Sequence, residues 1–198
     1  MNPKTVLITG ASSGIGEAFA DVFAAEGFDL VITARREDRL KAVAERLRQR
    51  DARRVEVIAE DLSEAEAPAR LCNEMARRGV VIDALVNNAG YGIPGTFTAS
   101  AWARHAALLQ VMVVALAELT HRLLPAMVDR GYGRIINVAS LAALVPAPAG
   151  HTLYAACTDG PHRGPSSPHW LVGSRGDPTL WSSSPSRSRM KSRGLACT

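Results

Sequence analysis

The stretch Thr5-Val6-Leu7-Ile8-Thr9-Gly10-Ala11-Ser12-Ser13-Gly14-Ile15-Gly16 decides how the rest of the chain is read. Its first four residues form a short run suited to a strand buried on both faces. Three glycines follow, and from Gly14 the pattern turns helical and runs to Glu26, where Gly27 closes it. A buried strand, a glycine-rich turn and a helix in that order form a phosphate-binding unit. Gly10 permits the tight turn, and Gly14 and Gly16 are expected to leave room for a pyrophosphate beside the backbone. The helix then offers free N–H groups and the positive end of its dipole. The plainer alternative is a glycine-rich connection without a ligand. The strand before and the helix after favour a nucleotide, held by Gly10, Ser12, Ser13, Gly14, Ile15 and Gly16.

Outward from this turn, apolar runs and helix-period runs alternate. Strands are predicted at Leu30–Thr33, Val55–Ile58, Ala84–Val86 and Arg134–Val138. Helices are predicted over Glu37–Arg50, Glu64–Arg78 and Ala101–Asp129, with Pro125 marking a kink or the last turn of the long one. The result is an α/β protein: a doubly wound parallel sheet, the Rossmann fold, with helices on both faces. In such a sheet ligands sit at the carboxyl ends of the strands, so the chemistry should follow each strand.

The strand-two end carries Arg35-Arg36, where a carboxylate would stand to bind a ribose 2′-hydroxyl. An arginine fork makes charge-assisted bonds to a phosphate, which a carboxylate would repel. The position therefore points to the adenosine phosphate of NADP over NAD, against the alternative of two solvated side chains at a helix entrance. Asp61-Leu62 follows strand three, and Asp61 or Ser63 could equally cap the next helix.

With Thr9 ahead of it, the Gly-x-x-x-Gly-x-Gly spacing resembles the short-chain dehydrogenase/reductase family. Asn87-Asn88-Ala89-Gly90 is similar to that family's second signature, and Gly133-Arg134-Ile135-Ile136-Asn137-Val138-Ala139-Ser140 to its fifth strand and catalytic serine. The resemblance covers residues 4–157 and implies hydride transfer between NADP and a carbonyl or alcohol substrate. It implies Asp61 and Leu62 beside the adenine, and Asn88, Ala89 and Gly90 along the ribose and nicotinamide, with Asn87 a hydrogen bonder between strands. It also implies Ser140 and Tyr154 as catalytic residues by position. Tyr154 lies one residue further from Ser140 than the family spacing, which Leu153 holds. Two family groups are replaced: Met112 stands where the long helix carries a relay asparagine, and Thr158 where a lysine follows the tyrosine. An inactive NADP-binding fragment is therefore the alternative reading. Tyr91 to Gly95 and Leu141 to Gly150 are expected to border the substrate pocket. Family members are commonly homo-oligomers.

The chain has 198 residues and a net charge of +4. All of that excess lies in residues 158–198, which hold 6 Lys/Arg and 2 Asp, while residues 1–157 hold 17 of each sign. The tail has 9 Ser, 5 Pro and 5 Gly, a composition that buries little. Its arginines are scattered through it and form no patch, so no nucleic-acid partner is expected. Cys72, Cys157 and Cys197 have no metal or disulfide spacing, and no metal site is expected. His105, His121 and His151 lack partners at recognisable spacings and are expected to be surface or structurally satisfied. No leader is expected ahead of Thr5, and Leu108–Met127 reads as a buried helix and not as a membrane span, so a soluble cytoplasmic protein is expected.

Residues 1–157 are thus expected to form the dinucleotide-binding domain and 158–198 a low-complexity, disordered or out-of-frame tail. Read one nucleotide later, codons for Asp159 to Pro165 can spell Thr-Ala-Leu-Ile-Ala-Ala-Leu, and codons for Arg175 to Trp181 can spell Val-Val-Thr-Leu-Leu-Cys-Gly. The family has a helix and a sixth strand there. The shift does not restore the lysine, and it meets a stop across Met190-Lys191. Under a truncated or frameshifted reading the sheet is incomplete at its C-terminal edge, with an apolar edge exposed on the side of strand one.

Overall fold

The computed structural model describes residues 3–140, Leu153, Tyr154 and Cys157, and the backbone of 170–172. The elements are β1 (Thr5–Thr9), α1 (Gly14–Ala25), β2 (Asp29–Ala34), α2 (Glu37–Asp51), β3 (Val55–Ala59) and α3 (Ala67–Arg77). They continue with β4 (Ala84–Asn87), α4 (Trp102–Leu109), a π-helical segment (Gln110–Val114), α5 (Ala115–Asp129), β5 (Gly133–Asn137) and β6 (Trp170–Val172).

The strand order is β3-β2-β1-β4-β5-β6; the first five are mutually parallel and β6 runs antiparallel to β5. Val6 lies opposite Leu30 and Ala84, and Ile8 opposite Ile32 and Val86. Successive strand side chains point to opposite faces. Val6, Ile8, Leu30 and Ile32 therefore pack with Ala20 and Ala24 of α1 and Leu40, Val43 and Leu47 of α2. Leu7, Val31 and Leu85 pack on the other face with Leu71 and Met75 of α3 and Leu119 and Met127 of α5. Two apolar layers on one sheet make the doubly wound fold, as expected. β1 lies inside the sheet between β2 and β4, so the expected exposed edge is not on its side; among the described residues the sheet ends at β3 and β6. Trp170–Val172, within the tail, pairs with Gly133–Ile135. The rest of 158–198, and Leu141 to Gly150, lie outside the described residues.

Two predicted helices differ from those observed. α3 begins at Ala67 instead of Glu64, because residues 61–67 form consecutive turns. Asp61 Oδ1 accepts from the Ser63 N–H at 3.0 Å and from its hydroxyl at 2.7 Å, and the Glu64 N–H donates to the Asp61 carbonyl at 3.0 Å. Pro68, which has no N–H to lose, sits in the first turn of the helix proper. In the long helical run the irregularity lies at the π segment and not at Pro125, which remains inside α5. That run, Trp102–Asp129, is 28 residues long and apolar enough to span a membrane by length and composition. It is buried on one face only: Leu108, Val111, Met112, Ala115, Leu119 and Met127 are in the core, while Trp102, Val113, Val114 and Val128 are exposed.

Candidate functional site

The carboxyl ends of β1, β2, β3 and β4 meet in one crevice. Buried between the ends of β1 and β4 is the Thr9 hydroxyl, which donates to the Val86 carbonyl at 3.3 Å and accepts the Asn88 and Ala89 N–H groups at 2.9 and 3.0 Å. The Asn88 amide donates to the Thr9 carbonyl at 3.0 Å. One buried hydroxyl thus ties the glycine loop after β1 to the Asn88-Ala89-Gly90 turn after β4.

The three loop glycines have different tasks. Gly10 has φ of +69°, and a Cβ there would stand 2.9 Å from Ala89 Cα. Gly14 has φ of +62° and open space around it, which leaves the start of α1 accessible to a ligand. Gly16 has a packing task. A Cβ there would fall 2.4 Å from the Gly10 carbonyl oxygen and 2.5 Å from Asn88 Nδ2. The missing side chain lets α1 seat against the loop. The Ser13 side chain makes no capping hydrogen bond to α1, so the N-terminal amides retain donors for an anion.

One cavity of about 190 Å³ is lined by Gly10, Ser12 and Ser13, by Arg35 and Arg36, by Asp61 and Leu62, and by Ala89, Gly90 and Tyr91, with Val111 from the π segment. The Arg36 guanidinium reaches over the glycine loop and donates to the Ser12 and Ser13 hydroxyls at 3.1 and 2.8 Å. Arg35 points elsewhere, to the face of the Tyr91 ring, 5.9 Å from its centroid. Glu60, also on this wall, is held by Arg70 at 2.8 Å, so its charge is locally compensated. The Asp61 carboxylate closes the turn before α3 and does not cap the helix itself, whose N-cap position is Glu66; it also lines the cavity.

A second cavity, of about 310 Å³, adjoins the same loop. It brings Ser140 and Tyr154 together with Ile15, Asn88, Gly90 and Met112. Met112 carbons lie within 3.5 and 3.6 Å of where a Gly90 Cβ would stand, so a thioether side chain forms this wall. Asn87 is structural, as expected: its amide donates to Asn137 Oδ1 at 2.9 Å and to the Thr120 hydroxyl at 3.2 Å. His105 is a structural histidine, with a ring nitrogen 2.9 Å from the Phe97 carbonyl and its ring stacked on Phe97. Exposed His121 lines neither cavity, and His151 and Thr158 lie outside the described residues. Sequence reasoning missed Thr9 as the hub, Val111 as a lining residue and the contact between Arg35 and Tyr91. The signal for Thr9 was its place directly before Gly10; the other two depend on the π segment and on the turn after β4.

Sheet order, glycine loop and crevice define the protein class: a Rossmann-type α/β protein. A family model described as short chain dehydrogenase matches residues 4–160, and the chain belongs to that family of NAD(P)-dependent enzymes. It is 36% identical over 148 residues to sulfoacetaldehyde reductase 2 of Chromohalobacter salexigens, covering 74% of this chain and 58% of that one. It is 34% identical over 158 residues to a short chain dehydrogenase of Pseudocercospora fijiensis, covering 77% and 49%. Among solved structures, a Sphingobium yanoikuyae short-chain dehydrogenase in complex with NADPH superposes with a TM-score of 0.73 at 36% identity, over 79% of this chain and 60% of that one. L-sorbose reductase of Gluconobacter frateurii, complexed with NADPH and L-sorbose, gives 0.74 at 34% identity, over 80% and 60%. The chain thus spans about half to three-fifths of the length of these relatives.

Proposed function

We propose that this chain binds NADP and belongs to an oxidoreductase that reduces a carbonyl or oxidises an alcohol. The observation that carries this reading is the cationic wall at the end of β2. Arg36 already bonds two loop hydroxyls, Arg35 lines the same cavity from its contact with Tyr91, and the acidic Glu60 is paired with Arg70. A 2′-phosphate fits two guanidinium groups and two hydroxyls, whereas a bare ribose hydroxyl leaves the arginines without an anion. The open Gly14, the uncapped start of α1 and the adjoining cavities fit the rest of a dinucleotide. The neighbours solved with NADPH support the same cofactor.

When bound, nicotinamide supplies or accepts the hydride. Among this chain's residues, Tyr154 is assigned the proton, its hydroxyl donating during carbonyl reduction, and Ser140 orients the carbonyl. Residues 158–198 are assigned outside the dinucleotide-binding body apart from the β6 pairing, and the out-of-frame reading is tested by sequencing the coding DNA. A second reading, NADP binding without chemistry, is favoured by Met112. A thioether beside Ser140 and Tyr154 cannot donate a hydrogen bond as the family asparagine does.

Two measurements separate these readings. Fluorescence titration with NADPH reports binding, and NADPH oxidation with a panel of aldehydes and ketones reports turnover. Binding with turnover that Tyr154→Phe abolishes supports the enzyme; binding without turnover supports the second reading. Arg35→Asp is expected to weaken NADPH binding much more than NADH binding, and equal weakening of both would contradict the cofactor assignment.

A further inference from the structure

The contact between Arg35 and Tyr91 spans the walls of the first cavity. Arg35 comes from the end of β2 and Tyr91 from the turn after β4, on the two sides of β1. The guanidinium carbon lies over the tyrosine ring at 5.9 Å, near the outer limit of a cation–π contact. A planar base held between two flat groups needs about 7 Å, two van der Waals thicknesses. Arg35 is exposed, so it is the wall that would move outward to admit a base. Leu62 and Val111 supply apolar walls to the same cavity, while Ser12, Ser13 and Arg36 supply its polar ones. Burial pushes the Tyr91 phenol up, more than Arg35 pulls it down, so the ring is uncharged at neutral pH and meets Arg35 through its π face.

We propose that Tyr91 is the adenine-stacking residue of this chain, holding the base of the nucleotide against the Arg35 guanidinium. The proposal rests on the NADP reading and assigns the recognition of the base. Stacking on an aromatic face depends on the ring and not on its hydroxyl. Tyr91→Phe should therefore bind as the native chain does, while Tyr91→Leu keeps apolar bulk and loses the π face.

The test is equilibrium titration of the full chain with NADPH, with adenosine 2′,5′-bisphosphate and with nicotinamide mononucleotide, alongside thermal melts of each variant. Tyr91→Leu and Tyr91→Ala are expected to weaken NADPH and adenosine bisphosphate by about tenfold each. Tyr91→Phe should stay within about twofold, and nicotinamide mononucleotide should bind all variants alike. If Tyr91→Leu binds adenosine bisphosphate as well as Tyr91→Phe does, the stacking role is overturned while the NADP reading stands. A loss confined to nicotinamide mononucleotide would also overturn it, by placing the ring at the other half of the cofactor. If the native chain binds neither NADPH nor adenosine bisphosphate, the NADP reading falls and the stacking role with it. Should Tyr91→Ala fail to fold, the comparison of Leu with Phe decides alone.

Discussion

Thr9 shows what one side chain contributes in this crevice. Its buried hydroxyl satisfies two backbone N–H groups of the turn after β4 and reaches the Val86 carbonyl. Thr9→Val keeps the shape but leaves the N–H groups of Asn88 and Ala89 without an acceptor. Each buried donor left unpaired costs about 1–3 kcal/mol. Thermal or urea unfolding should show a loss of at least about 1 kcal/mol, together with weaker NADPH binding because the Asn88–Gly90 turn loosens. The turn geometry of Gly10 and Gly14 was legible in the sequence because it answers to a local rule of backbone freedom. The role of Gly16 was not, since it is set by a carbonyl and an amide that the fold brings against it from elsewhere in the chain. The partner of Arg35 was hidden for the same reason: Tyr91 approaches from another strand.

At the level of elements, the five parallel strands and the first two helices were readable from period and from the closing glycines. The start of α3 was not. Asp61 and Ser63 were recognised as capping residues, but they close a turn before the helix, and Pro68 marks where it begins. The π segment has no sequence signature comparable to proline. Val111 lines the first cavity and Met112 the second, so consecutive residues of this segment serve both halves of the crevice. α3 also carries the clearest pH-dependent contacts. Hydrogen bonds from Arg77 and Arg78 hold the Glu74 carboxyl at about 2. Glu56 pays a desolvation cost that Arg78 and Arg54 outweigh, so it too is lowered. A depressed carboxyl stabilises the fold above its unfolded pKa and loses that contribution as pH falls toward the folded value. Stability should therefore drop between about pH 4.5 and pH 2, and Glu56→Gln with Glu74→Gln should flatten that drop in urea melts. Because these groups are largely solvated, added salt should reduce the effect.

For the whole molecule, the described residues build apolar layers on both faces of the sheet. Trp102, Val113 and Val114 nevertheless face outward from the long helical run, at 66%, 44% and 46% exposure. An apolar surface of that kind drives association. The chain is expected to self-associate with rising concentration in light scattering, and Val113→Lys with Val114→Lys is expected to shift it toward monomer. A native chain that stays monomeric and unfolds in one cooperative transition would contradict this. The central claim concerns the cationic end of β2, and it is tested most directly by the dissociation constants of the unaltered chain for NADPH and NADH, measured in one fluorescence titration series. A charge-assisted phosphate contact is worth about 1.5–3 kcal/mol, so NADPH should bind at least about tenfold more tightly. Equal affinity for the two, or tighter binding of NADH, would contradict the assignment of Arg35 and Arg36 to a 2′-phosphate.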